Sequence, residues 1–178
     1  MANVSPDRRQ ASLVVALQNP KAIDLMPGQV ALGLAGDQLK TLLGSCVSVI
    51  LTDPRRTVGA MCHIVHVGPP NAANAHNAAY GEVAMHTMFD QLIGVGIPPQ
   101  RCHAYVYGGG NMFPQMFSTT QVGAKNASWV LNYLDGCGIT VVEHDVGGST
   151  YRKVVWTVGS DKPGVEVVRT DMAPATRR

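Results

Sequence analysis

Apolar positions along the chain fall into short blocks separated by Gly, Pro, Asn and Asp, and the spacing inside each block predicts its conformation. Val47 to Leu51 is β-branched or apolar almost throughout, as in a strand buried on both faces. Asp53-Pro54-Arg55-Arg56 ends it with a polar turn, and Val58 to Val67 reads as the next strand. Ahead of them, Gln29 to Leu34 is a short strand, and Gly36-Asp37 turns the chain into Gln38 to Leu43, which leads to Cys46. GPPNAANAHNAA, residues 68–79, is an exposed loop. From Gly81 the period changes. Val83, Met85, Met88, Phe89, Leu92 and Ile93 recur near helical spacing, which predicts a helix over 81–95 stopped by Gly94 and Gly96. Cys102 to Tyr107 is a strand ending in Gly108-Gly109-Gly110, and 122–134 is a second helix with Trp129, Val130 and Tyr133 on or near one face. Ile139 to Glu143 is a strand, Asp145 to Gly148 a turn, and Val154 to Val158 with Val165 to Arg169 a closing hairpin. Three strands, a helix, a strand, a helix and three strands make a mixed α/β order, without the βαβ alternation of a doubly wound nucleotide fold.

Bulk properties narrow the class. The chain has 178 residues, which suits one domain, here expected over 23–169 with a mobile arm at 1–22 and a polar tail at 170–178. Hydrophobic content of 46% against 15% charged residues predicts an ordered, compact body. A net charge of +2 is too weak to argue for nucleic acid or an anionic membrane. No apolar run approaches a bilayer span, so no membrane insertion is expected. The basic pair before ASLVVAL lacks a small-residue cleavage pattern after it and reads as part of a leader arm. The four cysteines, Cys46, Cys62, Cys102 and Cys137, lie far apart and suit reduced thiols in the cytoplasm better than a disulfide framework.

Chemistry concentrates in KTLLGSCVSVILTDPRRTVGAMCHIVHV, residues 40–67. Gly44-Ser45 delivers Cys46 to the head of one strand, and His63 lies on the next. A thiol and an imidazole facing each other across neighbouring strands are the minimum for cysteine nucleophilic catalysis. The competing reading is two core residues, since a free cysteine is usually a small buried hydrophobe. Glycine before the cysteine favours a close substrate approach, with nearby amides able to hold an oxyanion. Cys62, His63 and His66 do not make a zinc site, because strand alternation puts Cys62 and His66 on one face and His63 on the other. Gly108-Gly109-Gly110-Asn111 is neither a Walker A loop nor GxGxxG. Met112, Phe113, Met116 and Phe117 are spaced like one face of a helical turn, either core or the lining of a groove beside Gly109 and Gly110.

Five blocks together resemble the CheD family of chemoreceptor glutamine deamidases. They are LGSCVSVILTD (Leu43 to Asp53), VGAMCHIV (Val58 to Val65), GGGNMF (Gly108 to Phe113), VGAKN (Val122 to Asn126), and HDVGG with Arg152 following (His144 to Gly148). The resemblance spans about Gly28 to Val168. It implies a mixed-sheet α/β sandwich with flanking helices, similar to deamidating toxins of the cytotoxic necrotizing factor type. It also implies a cysteine hydrolase that turns receptor glutamines into glutamate for chemotactic adaptation, with Cys46 as nucleophile and His63 as general base. The same chemistry extends to glutamate methyl esters. The family's third catalytic residue is a threonine six positions before the cysteine, where this chain has Lys40. Thr41 is expected to take the role through a local shift. His66 also stands where the family more often has an apolar residue. Ser45, Gly109, Gly110, Met112 and Phe113 are the expected substrate- or partner-binding positions. No metal or organic cofactor is implied, and a monomer acting on the cytoplasmic helices of receptors is expected. The alternative is a binding module that partners a CheC-type phosphatase, or receptors, without catalysis.

Overall fold

A computed structural model describes residues 19–112 and 122–168. Its elements in chain order are β1 (Ala22–Asp24), β2 (Val30–Leu34), β3 (Gln38–Leu43), β4 (Val47–Thr52), β5 (Val58–Cys62), α1 (Gly81–Gly94), β6 (His103–Gly108), α2 (Val122–Gly136), β7 (Thr140–Val146), β8 (Tyr151–Thr157) and β9 (Gly164–Val168). They form a mixed α/β architecture with two mixed sheets. One sheet runs β2-β5-β4-β6-β7 and the other β1-β3-β8-β9. Among the described strands, β6–β7 and β1–β3 pair in parallel and the other pairs are antiparallel.

Alternation along the strands divides the core in two. Val47, Val49 and Leu51 of β4 point to one side and pack with Ala60, Cys62, Met85, Met88, Val130 and Leu134, so both helices cover that face of the five-stranded sheet. Ile50, Met61, Tyr105 and Tyr107 point to the other side and meet Leu39, Leu43, Val154 and Trp156 of the smaller sheet. This is why β4 is buried at all six positions, as its nearly continuous apolar run predicts. Asp53 shapes the β4–β5 hairpin as a polar turn residue, its carboxylate accepting from the N–H groups of Arg55, Thr57 and Val58.

Five strands precede the first helix where the sequence pattern predicts three. β3 has its own alternating burial, with Leu39, Thr41 and Leu43 inward and Leu42 outward. β1 is three residues long and held by parallel pairing to β3, too short to carry a hydrophobic period of its own. It begins at Ala22, within the stretch expected as an arm; residues 1–18 and the tail at 170–178 lie outside the described residues. β5 stops at Cys62 rather than Val67. Beyond it, Val47 and Ile64 still form a bridge, but the N–H groups of Val65 and His66 both turn to the Ala79 carbonyl, so the chain leaves the sheet. β7 runs on to Val146 and β8 begins at Tyr151, which moves the turn to 147–150.

Candidate active site

The loop Gly44-Ser45-Cys46 joins the two sheets, carrying the chain from β3 to β4. It is fastened by the glycine run after β6: the Gly109 N–H donates to the Cys46 carbonyl and the Gly110 N–H to the Gly44 carbonyl, both at 2.8 Å. Gly108 has φ of +109°, and a Cβ there would overlap the Cys46 carbonyl oxygen. Gly108→Ala therefore combines backbone strain with a clash against the residue that bears the thiol. Its expected cost is about 2–4 kcal/mol of stability, read by denaturant unfolding, together with loss of turnover.

His63 is built into the seam between the sheets. The Val47–Ile64 bridge keeps the register of the Ile50–Met61 pair, so Ser48 stands opposite His63, and Cys46 lies two residues before Ser48 where the strands part. Cys46, Ser48 and Ile50 share one face by alternation, and it is the face that His63 and Met61 share. Cys46 and His63 are thus diagonal neighbours, a relation that places Cα atoms about 7–8 Å apart and lets long side chains meet. Among the described residues no hydrogen bond joins the Cys46 Sγ to the imidazole, and Cys46 is half-buried while His63 is 3% exposed.

Thr41 reaches His63 from the opposing sheet. Its Oγ1 lies 2.8 Å from His63 Nδ1 and donates to the Leu25 carbonyl, also at 2.8 Å. The Leu25 oxygen accepts only, so the single hydroxyl proton of Thr41 goes to it. The same Oγ1 then accepts from Nδ1–H, and His63 Nδ1 also lies 3.4 Å from the Leu25 oxygen. This network assigns the proton to Nδ1 and leaves Nε2 with its lone pair free. Lys40 sits on the outer face of β3, 3.3 Å from Asp24 in an ion pair. The strand needs no bulge, because Thr41 already faces inward with Leu39 and Leu43.

Burial sets the resting protonation. It holds the His63 imidazole below its ordinary value of 6.5, with the Leu25 hydrogen bond opposing, and it pushes the Cys46 thiol above its ordinary range. At neutral pH the two groups rest as neutral thiol and neutral imidazole, not as a preformed thiolate–imidazolium pair. Ser48 Oγ, fully buried opposite His63, has no hydrogen-bond partner among the described residues. Ser48→Ala removes an unsatisfied hydroxyl and is expected to raise stability by about 1 kcal/mol. Thermal unfolding checks it, a fall in Tm being the contrary result.

The other predicted positions are distributed around this centre. Met112 lies against Gly44, and the Ser45 carbonyl accepts from Asn126 Nδ2 at 3.1 Å. Phe113, Met116 and Phe117 are outside the described residues. Cys62 faces the helices, away from His63. His66 is exposed and packs its ring on Tyr80, with centroids 5.2 Å apart. Arg152, buried, donates to the Gly147 carbonyl and to Asp145, which draws the Asp145 carboxyl below its usual range and fixes a turn whose Gly148 carbonyl accepts from the Asn111 N–H. Two participants escaped the sequence reading. The Leu25 carbonyl is a backbone group and leaves no side-chain signal. Asn126 stood inside the VGAKN block without an assigned task.

Comparison with known proteins gives the family. The family described as CheD chemotactic sensory transduction matches residues 67–166. The chain belongs to the CheD family. A probable chemoreceptor glutamine deamidase CheD 2 of Albidiferax ferrireducens is 35% identical over 147 residues, which cover 80% of this chain and 85% of that one. Its namesake from Burkholderia thailandensis is 36% identical, covering 76% and 70%. A probable chemoreceptor glutamine deamidase CheD 1 of Chromobacterium violaceum is 28% identical over 97% of this CheD chain and 93% of its own. Among solved structures, a Neisseria meningitidis protein of the DUF152 family aligns with a TM-score of 0.46 and 12% identity, covering 85% of this chain and 81% of that one.

Proposed function

We propose that this CheD-family chain is a protein-glutamine deamidase acting on chemoreceptors. The observation that carries the proposal is the Thr41–His63 hydrogen bond, which orients an imidazole on the same buried face as Cys46. In this reading Nε2 takes the thiol proton while Sγ attacks the carboxamide carbon of a glutamine side chain. The C–S bond forms and the carbonyl electrons move onto oxygen, where backbone amides beside Cys46 hold them. Collapse expels the amide nitrogen, to which the imidazolium returns the proton, releasing ammonia and leaving a thioester. Water, deprotonated by Nε2, then attacks the thioester carbon. The C–S bond breaks, the thiol is reprotonated, and glutamate remains. No step calls for a metal or organic cofactor. A glutamate methyl ester would enter the same cycle with methanol in place of ammonia. The natural setting is the cytoplasm, where receptor signalling helices present the glutamines, and the enzyme acts there as a monomer in chemotactic adaptation. No helix among the described residues is long and apolar enough to cross a membrane.

The test is to incubate a purified chemoreceptor cytoplasmic fragment with the wild-type chain and map its peptides by mass spectrometry. Conversion of specific glutamines to glutamate with matching ammonia release is expected. Tight binding of the fragment without any conversion would make the chain a binding module instead.

The pH profile follows from the His63 environment. The base works only when neutral, and burial keeps its pKa low, so kcat/KM is expected to hold through neutral pH. It falls on the acid side only with a midpoint below 6.5. An acid limb centred above 6.5 would contradict this assignment of the base.

A further inference from the structure

The splayed end of the β4–β5 pair gives the fourth sequence block, VGAKN, a task. Val47 and Ile64 exchange both backbone hydrogen bonds, at 3.0 and 2.8 Å. In an antiparallel ladder the next pair to do so is two residues on, Ser45 with His66. Here it does not form. The N–H groups of Val65 and His66 both donate to the Ala79 carbonyl at 2.9 Å, which leaves the Ser45 carbonyl without a strand partner. Asn126, on the first turns of α2 and 2% exposed, fills the gap: its Nδ2 donates to the Ser45 carbonyl and to the Val65 carbonyl, each at 3.1 Å. One side-chain amide thus bridges two strands that would otherwise either close or drift. The Ser45 carbonyl shares its planar peptide unit with the Cys46 N–H, so fixing the one orients the other. Among the described residues, neither the Ser45 nor the Cys46 N–H donates to a protein acceptor.

We infer that Asn126 is a positioning residue that holds the Ser45-Cys46 backbone open, with those two N–H groups aimed at the oxyanion of the tetrahedral intermediate. The inference rests on the deamidase reading above. It differs from a purely structural role in what it leaves untouched. Among the described residues the hydrogen bonds of the amide go to backbone carbonyls and not to the imidazole, so thiol deprotonation by His63 does not depend on it. Stabilisation of developing charge on the substrate oxygen does, because that requires the two N–H groups in fixed positions.

The experiment compares wild type, Asn126→Ala and Asn126→Ser in three readings: deamidation of a receptor fragment, alkylation of Cys46 by iodoacetamide, and thermal unfolding. Alkylation needs the thiolate but no oxyanion hole. For Asn126→Ala a fall in kcat of about 30- to 300-fold is expected, the range of losing one oxyanion donor. KM and the Cys46 alkylation rate should stay within about twofold of wild type. Asn126→Ser, which keeps one donor, should recover part of kcat. Unchanged kcat in Asn126→Ala overturns the inference. So does a parallel fall of kcat and alkylation in both variants, or unfolding of both at the assay temperature, since each marks a structural role alone. A wild-type chain that alkylates normally yet converts no glutamine overturns the deamidase reading itself, and the oxyanion role falls with it.

Discussion

Thr41→Val is expected to lower kcat for glutamine conversion by about 10²–10⁴-fold while the fold stays intact, and Thr41→Ser is expected to recover most of the loss. Valine matches threonine in shape, so the packing between Leu39 and Leu43 is preserved. What disappears is the hydroxyl that accepts a hydrogen bond from Nδ1–H of His63 and donates one to the Leu25 carbonyl. Without it the ring can place its proton on Nε2, and the tautomer so formed has no base facing the thiol. A misdirected tautomer in a comparable triad costs about 10⁴ in kcat. The Leu25 carbonyl, 3.4 Å from Nδ1, remains as a weaker guide and sets the lower end of the range. Single-turnover conversion of a receptor fragment checks the rate, and an unchanged unfolding midpoint separates it from a folding defect. Thr41→Val turning over within twofold of wild type would remove Thr41 from the site.

How far the sequence reached depends on what kind of signal each feature leaves. Both helices were legible because Met85, Met88 and Leu92 in α1, and Val130 and Leu134 in α2, repeat at a period that survives any tertiary context. β4 was legible because burial on both faces leaves a nearly continuous apolar run. β1 was not, since its stability comes from the neighbouring strand and from nothing in the triplet itself. The third residue of the site shows the difference between counting positions and counting faces. By position Lys40 occupies the expected place, and by face Thr41 does. In β3 the inward set is Leu39, Thr41 and Leu43, while Lys40 is turned out to Asp24. The face cannot be read without the partner strands that fix which side is the interior. Asn126 was equally hidden, because its partners are carbonyls 81 and 61 residues away.

Cys46→Ala removes the sulfur that forms the thioester in the proposed mechanism, and its expected effect is the largest of all. Acyl transfer by a thiol has no second route through an imidazole alone at comparable rate, and deleting the nucleophile of a coupled site typically costs about 10⁶ in kcat. The substitution deletes one sulfur from a half-buried position whose neighbours are fixed by Gly109 and Gly110, so folding and receptor binding are expected to persist. The other three cysteines do not substitute for it: Cys62 faces the helices, where burial pushes its thiol up to about 12, Cys102 is raised to about 11, and Cys137 lies at the far end of α2. The decisive measurement is peptide mass mapping of one receptor fragment incubated in parallel with wild type and Cys46→Ala. The account predicts glutamine-to-glutamate conversion with the first and none above the spontaneous background with the second; conversion by Cys46→Ala at the wild-type rate would contradict it.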